Sequence, residues 1–223
     1  MSTANKRDVP LGLKAAQVAL RSFGKTPQPV LKQLARKAPV NEAGDRLAPE
    51  IALALAAMNA LPAKDFIDVP VAEGREMIDA EALLFADSFG PFAVEEDLLI
   101  PSDAGAIPAT RYRHRAEFSR GMMVYFHGGG WVLGSRVSHD SVARYLAVEA
   151  GIDVLVVDYR LAPEHPFPAA IDDALVAWDY VVENAAHWGF GPKQLVIGGD
   201  SAGGNISAVL AQLLKGREVQ PAL

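Results

Sequence analysis

The sequence predicts an α/β fold, a mostly parallel sheet covered by helices, and three observations carry that reading. Continuous apolar runs recur at 122–126, 154–157 and 195–197, the pattern of strands buried on both faces. Amphipathic stretches long enough for crossover helices follow them, at 138–150, 167–188 and 202–215. Glycine-rich turns stand where two of the strands end, at 127–130 and 199–203.

The elements follow in chain order. Residues 1–90 read as an N-terminal helical region, and Pro27, Pro29, Pro39, Pro62 and Pro70 break it into segments. An alanine-rich helix is predicted over 48–61 with Pro49 in its first turn, and a second helix over 73–89. Residues 91–223 read as the α/β core. Strands at 98–100 and 109–112 flank a turn at 102–105, and the buried strand 122–126 comes next. Helix 138–150 has Ser138 or Asp140 as its cap and Gly151 just past its end. After strand 154–157, helix 167–188 carries Ile171, Leu175, Trp178 and Val182 at helical spacing, with Asp172 and Asp173 in its early turns. Strand 195–197 leads into helix 202–215, which stops at Gly216. There is no internal repeat.

Composition excludes several classes. The formal net charge is −6 with both signs interspersed, so no basic stripe points to nucleic acid. The chain has no cysteine, which removes disulfides, thiolate metal sites and a cysteine nucleophile together. The apolar stretch 11–20 is interrupted by Lys14 and Gln17 and lacks the form of a secretory signal. No stretch reaches the length of a membrane span, and the cytoplasm is the default expectation.

Chemistry concentrates in the two glycine turns. Gly199-Asp200-Ser201-Ala202-Gly203 joins a buried strand to a helix. Glycines at both ends allow a tight bend that projects the Ser201 hydroxyl above the sheet, at a helix N-terminus that favours developing negative charge. The alternative is a glycine-rich turn with an incidental serine. His127-Gly128-Gly129-Gly130 offers unobstructed backbone N–H groups, as a tetrahedral oxyanion requires. A phosphate loop fits poorly, because Ser135-Arg136 stands where Lys-Ser/Thr belongs. A dinucleotide fingerprint fails at Leu133.

These runs, together with the segment from Asp158-Tyr159-Arg160-Leu161-Ala162-Pro163 to Ala170 and the continuation Gly204-Asn205, resemble the hormone-sensitive-lipase-like bacterial carboxylesterases of the α/β-hydrolase fold. The resemblance spans roughly residues 90–223. It implies Ser201 as nucleophile toward short- to medium-chain carboxylic esters, and Gly128, Gly129 and Ala202 as oxyanion donors. His127, Gly130, Asp200, Gly199 and Gly203 become supporting residues. It implies no cofactor and no metal, and it makes residues 1–90 a cap that shapes acyl-chain access.

His127 is expected to orient the glycine loop through its ring, with general base as a lesser role. His165 is expected to be structural, and His114, His139 and His187 to lie at the surface or at helix ends. Asp158 and Arg160 are expected to brace strand and loop. The sequence departs from the family in one respect. A serine of this kind needs a base and an orienting acid, which in this fold follow it in the chain. Residues 202–223 contain neither histidine nor aspartate, and Glu218 is their sole acid. The fold is therefore expected to be incomplete at its C-terminal side, with 218–223 leading into a further strand and 195–197 left as an open edge.

Three explanations stay open: a cleaved or truncated enzyme, a degenerate inactive product, or recruitment of an upstream histidine. The expected partners are a small-molecule ester and either a complementary C-terminal chain or a second copy joined through the sheet edge. The alternative function is a catalytically inactive binding or assembly module. An amidase or acyltransferase would use the same serine machinery.

Overall fold

The computed structural model describes Val18, residues 25–60 and residues 66–222. The described residues up to Pro70 form one compact unit and those from Val71 another. The stretch 11–20, Val18 aside, lies outside the described residues.

The first unit holds α1 (Gln28–Leu34) and α2 (Pro49–Ala60), and α2 starts with the proline expected in its first turn. Leu31 is its buried anchor. Asn41 organises the connection: its Oδ1 accepts the Asp45 N–H at 2.8 Å, while Arg46 donates to the Ala38 carbonyl at 3.0 Å.

The second unit begins with α3 (Val71–Phe85). This helix ends four residues before the predicted 89. Asp87 and Ser88 compete for backbone hydrogen bonds, and the Asp87 N–H is taken by the Ser141 hydroxyl at 3.2 Å. Then come β1 (Val94–Ile100), β2 (Ile107–Arg113), β3 (Met122–Phe126), α4 (Asp140–Glu149), β4 (Asp153–Val157), α5 (Ala169–Asn184), β5 (Leu195–Gly199) and α6 (Ala202–Leu213). The sheet order is β1-β2-β4-β3-β5. β4, β3 and β5 run parallel, and β1 and β2 add antiparallel.

β1 extends four residues further upstream than its apolar pattern suggested. Glu95, Glu96 and Asp97 are exposed, as side chains of an edge strand can be. The turn before β2 forms as expected, closed by the Gly105 N–H on the Ser102 carbonyl at 3.1 Å. Neither expected cap of α4 acts as one: His139 occupies that position, and the Ser138 hydroxyl is spent on Ser135.

Helices cover both faces of the sheet. On one face Trp178, Val181, Ile206 and Leu210 pack against Val124, Phe126, Leu155 and Val157. On the other, Ala143 and Ala147 of α4 meet Tyr125, Val154 and Val156. Alternate residues of β4 thus enter opposite cores, which is why its sequence is apolar throughout. β3 lies between β4 and β5 with Phe126 beside Gly199, so the two glycine turns leave neighbouring strands at the same end. The Ala222 N–H donates to the Leu195 carbonyl at 2.8 Å, so the last described residues begin to run beside β5. Among the described residues no helix is long and apolar enough to cross a membrane.

Candidate active site

Between β5 and α6 the chain turns within two residues. Ser201 takes φ 49° and ψ −114°, a left-handed conformation that strains a residue with a side chain, and its surface is exposed. The flanking glycines make the bend possible. A Cβ at Gly199 would meet the Phe126 carbonyl oxygen at 2.3 Å, and one at Gly203 would meet it at 1.8 Å. Both turns are therefore pressed together, backbone on backbone.

The glycine loop after β3 is equally constrained. Gly129 has φ 122° and Gly130 φ 63°, and Trp131 follows at φ 61°. The loop start is held by the Leu133 N–H on the Gly129 carbonyl at 2.8 Å. The His127 ring is buried and stacked on Tyr159 at 4.4 Å, and its Nδ1–H donates to the Gly128 carbonyl at 2.8 Å. Burial pushes this imidazole below its ordinary value, despite the raising effect of that carbonyl, so it stands neutral at pH 7. The His127 ring is thereby fixed against the start of the glycine loop.

One residue of the expected oxyanion set is displaced. The Gly128 N–H donates to Asp200 Oδ1 at 2.9 Å and is not available to a substrate oxygen. Sequence order alone could not reveal this, because the acceptor lies 72 positions downstream. Among the described residues the N–H groups of Gly129, Gly130 and Ala202 have no acceptor.

Asp200 is the scaffold between the turns. Its Oδ1 also accepts the Tyr125 hydroxyl at 2.8 Å and faces His139 Nε2 at 3.3 Å. Burial pushes its carboxyl up, but the Tyr125 hydroxyl, His139 and the Gly128 N–H outweigh that and hold it below the ordinary carboxylate range. The sequence placed His139 at a helix end, which it is, but not its approach to Asp200. The available signal was Tyr125, whose alternation with Phe126 sends it to the α4 side of the sheet.

Asp158 and Arg160 do not form one buried brace with each other: both are half-buried, and each has its own partner. Asp158 accepts from the Arg136 side chain at 2.7 Å, and Arg160 pairs with the buried Asp173 at 2.8 Å. His165 lines a cavity of about 410 Å³ beside Gly130, together with Trp131, Phe167, Ile171 and Val209. Among the described residues no group of three His, Asp or Glu could hold a metal ion, and Ser201 Oγ has no hydrogen-bond partner.

Residues 123–223 match the model of a family described as having the alpha/beta hydrolase fold. The chain is 48% identical over 120 residues to a carboxylic ester hydrolase, LipN, of Mycobacterium tuberculosis, covering 53% of this chain and 32% of that one. It is 38% identical over 149 residues to an ethyl acetate hydrolase of Pseudomonas putida, covering 65% and 47%. Among solved structures, a hyperthermophilic esterase from the archaeon Pyrobaculum calidifontis is 41% identical with a TM-score of 0.61, covering 67% of this chain and 50% of that one. An ester-hydrolase from the metagenome of Lake Arreo, complexed with a bipyridine phosphonate derivative, is 35% identical with a TM-score of 0.68, covering 76% and 54%. The chain spans 32% and 47% of the length of these two curated relatives.

Proposed function

We propose that this chain, which resembles the hormone-sensitive-lipase-like carboxylesterases of the α/β-hydrolase fold, carries the nucleophile and the oxyanion hole of a serine ester hydrolase. The observation that carries the reading is Ser201, strained and exposed at the head of α6, in the turn that leaves the strand beside the one carrying a loop with two unengaged N–H groups. Ser201 Oγ attacks the ester carbonyl and forms an acyl-enzyme, with loss of the alcohol. The N–H groups of Gly129, Gly130 and Ala202 receive the oxyanion, and each such donor contributes about 3–4 kcal/mol of barrier lowering. The apolar cavity beside Gly130 suits a short- to medium-chain ester. Residues 1–90 are proposed as the cap that shapes acyl-chain access.

The proton acceptor and its orienting acid are proposed to come from outside residues 1–223, because the residues after Ser201 include no histidine and no aspartate. A second reading is an inactive binding or assembly module. Hydrolysis of p-nitrophenyl butyrate, measured for the chain with and without a C-terminal segment supplied in trans, separates the two. Turnover above a Ser201→Ala control, with an organophosphonate adduct mapped to Ser201, is the expected result. Ligand binding without turnover or adduct in a refolded complex supports the second reading.

A further inference from the structure

We infer that Arg75, on α3, is a positioning residue for the oxyanion loop; the inference rests on the reading of that loop given above. Its single planar guanidinium reaches two loops at once. Nε donates to the Val132 carbonyl at 2.8 Å and Nη2 to the Ala162 carbonyl at 2.9 Å. The same fork holds Glu164 through two bonds, at 3.0 and 2.8 Å. The two loops are also joined directly, by the Ala162 N–H on the Trp131 carbonyl at 2.8 Å. The successive carbonyls of Trp131 and Val132 are therefore each held from outside the loop, the first by Ala162 and the second by Arg75.

That grip falls where the loop needs it. Gly130 and Trp131 are successive left-handed residues, and such a conformation persists for a tryptophan only when its surroundings over-determine it. Hydrogen bonds within the loop hold its beginning at the Gly129 carbonyl, whereas the Val132 carbonyl is held by Arg75. One helical turn further along the same face of α3, Asp79 accepts the Ser135 hydroxyl at 2.6 Å and fixes the loop's far end. The direction of the Gly129 and Gly130 N–H groups thus depends on a helix outside the loop's own strand. A lysine could offer only one point of contact in place of the fork.

The test is amide hydrogen exchange on the full chain. In Arg75→Ala the amides of Val132, Leu133 and Ala162 exchange at least tenfold faster while those of Val124 and Val156 keep wild-type protection. Arg75→Lys restores part of the difference. Glu164→Gln, which keeps both carbonyl contacts, stays close to wild type. Wherever the wild-type chain turns over p-nitrophenyl butyrate, Arg75→Ala lowers kcat at least tenfold with KM unchanged. Unaltered loop exchange in Arg75→Ala, or equal acceleration of loop and core amides, overturns the inference. Absence of turnover in the complemented wild-type chain overturns the functional reading alone, since the exchange data still decide the clamp.

Discussion

Gly203→Ala isolates the close approach on which the site depends. Gly203 is the second residue of α6, where helix propensity by itself favours alanine by up to about 1 kcal/mol. The surroundings argue the opposite sign. The added Cβ would lie 1.8 Å from the Phe126 carbonyl oxygen, 2.5 Å from its carbon and 2.8 Å from the His127 oxygen. Ordinary contact at 3.4 Å requires a displacement of about 1.6 Å, the difference between that distance and 1.8 Å. All three atoms are backbone, and they belong to the strand end that launches the glycine loop. Overpacking typically costs about 1–3 kcal/mol, and with no side chain free to yield the cost here is expected at about 3 kcal/mol. At roughly 2–4 °C per kcal/mol for a chain of this size, the unfolding midpoint falls by about 6–12 °C. The assay is thermal unfolding followed by circular dichroism, with Gly90→Ala as the comparison. A Cβ at Gly90 meets nothing within 4 Å, so that variant is expected within about 0.5 kcal/mol of wild type. A Gly203→Ala protein that melts at or above the wild-type temperature would refute the reasoning.

Asp153 is fully buried between Arg111 and Arg113, each at 2.8 Å, so Asp153→Ala strands two cations and is expected to cost about 3–5 kcal/mol by urea denaturation. Because the Asp200 carboxyl is held below its ordinary value, the folded state binds fewer protons than the unfolded chain just below pH 4. Its contribution is present above the unfolded pKa and is lost as pH falls through the folded one. Unfolding midpoints of wild type and Asp200→Asn should therefore converge on acidification from pH 5, and a pH-independent gap would count against the assignment. Ser201→Gly relieves strain of about 1–3 kcal/mol against a glycine entropy cost of about 0.5–1 kcal/mol. It should unfold about 1 kcal/mol later than Ser201→Ala, which keeps the strained backbone; equal stability of the two would remove strain from the account.

Much of this architecture was legible because it is written in local signals. β3 and β4 announce themselves as unbroken apolar runs, since both of their faces are covered, and Gly151 and Gly216 mark helix ends with φ 63° and 85°. β1 was read too short because Glu95 to Asp97 face solvent, and an exposed edge strand carries no apolar code. At the site, Ser201 and the glycines were visible as a motif. What stayed hidden depends on distance in the chain. The Gly128 N–H looks free in sequence and is engaged in space, and Arg75 contacts segments 57 to 89 positions away.

Only two non-glycine residues among those described hold positive φ, Trp131 and Ser201. They lie in different segments, one in each glycine turn, and each violates a local preference that the rest of the core obeys. Conformations of this kind cost of order 1–3 kcal/mol and must be imposed by neighbours. The neighbours can be named: Phe126 and Gly203 force the bend at Ser201, while Ala162 holds the Trp131 carbonyl and Arg75 the next one, that of Val132. Asp200 then couples the turns, since its carboxylate, one residue before Ser201, accepts the N–H of Gly128. A loop that merely connected elements would have relaxed to an ordinary turn at no loss of packing. Two strained residues, separately braced and joined by one carboxylate, support the proposed oxyanion site, because the donors of such a site must be fixed before charge develops.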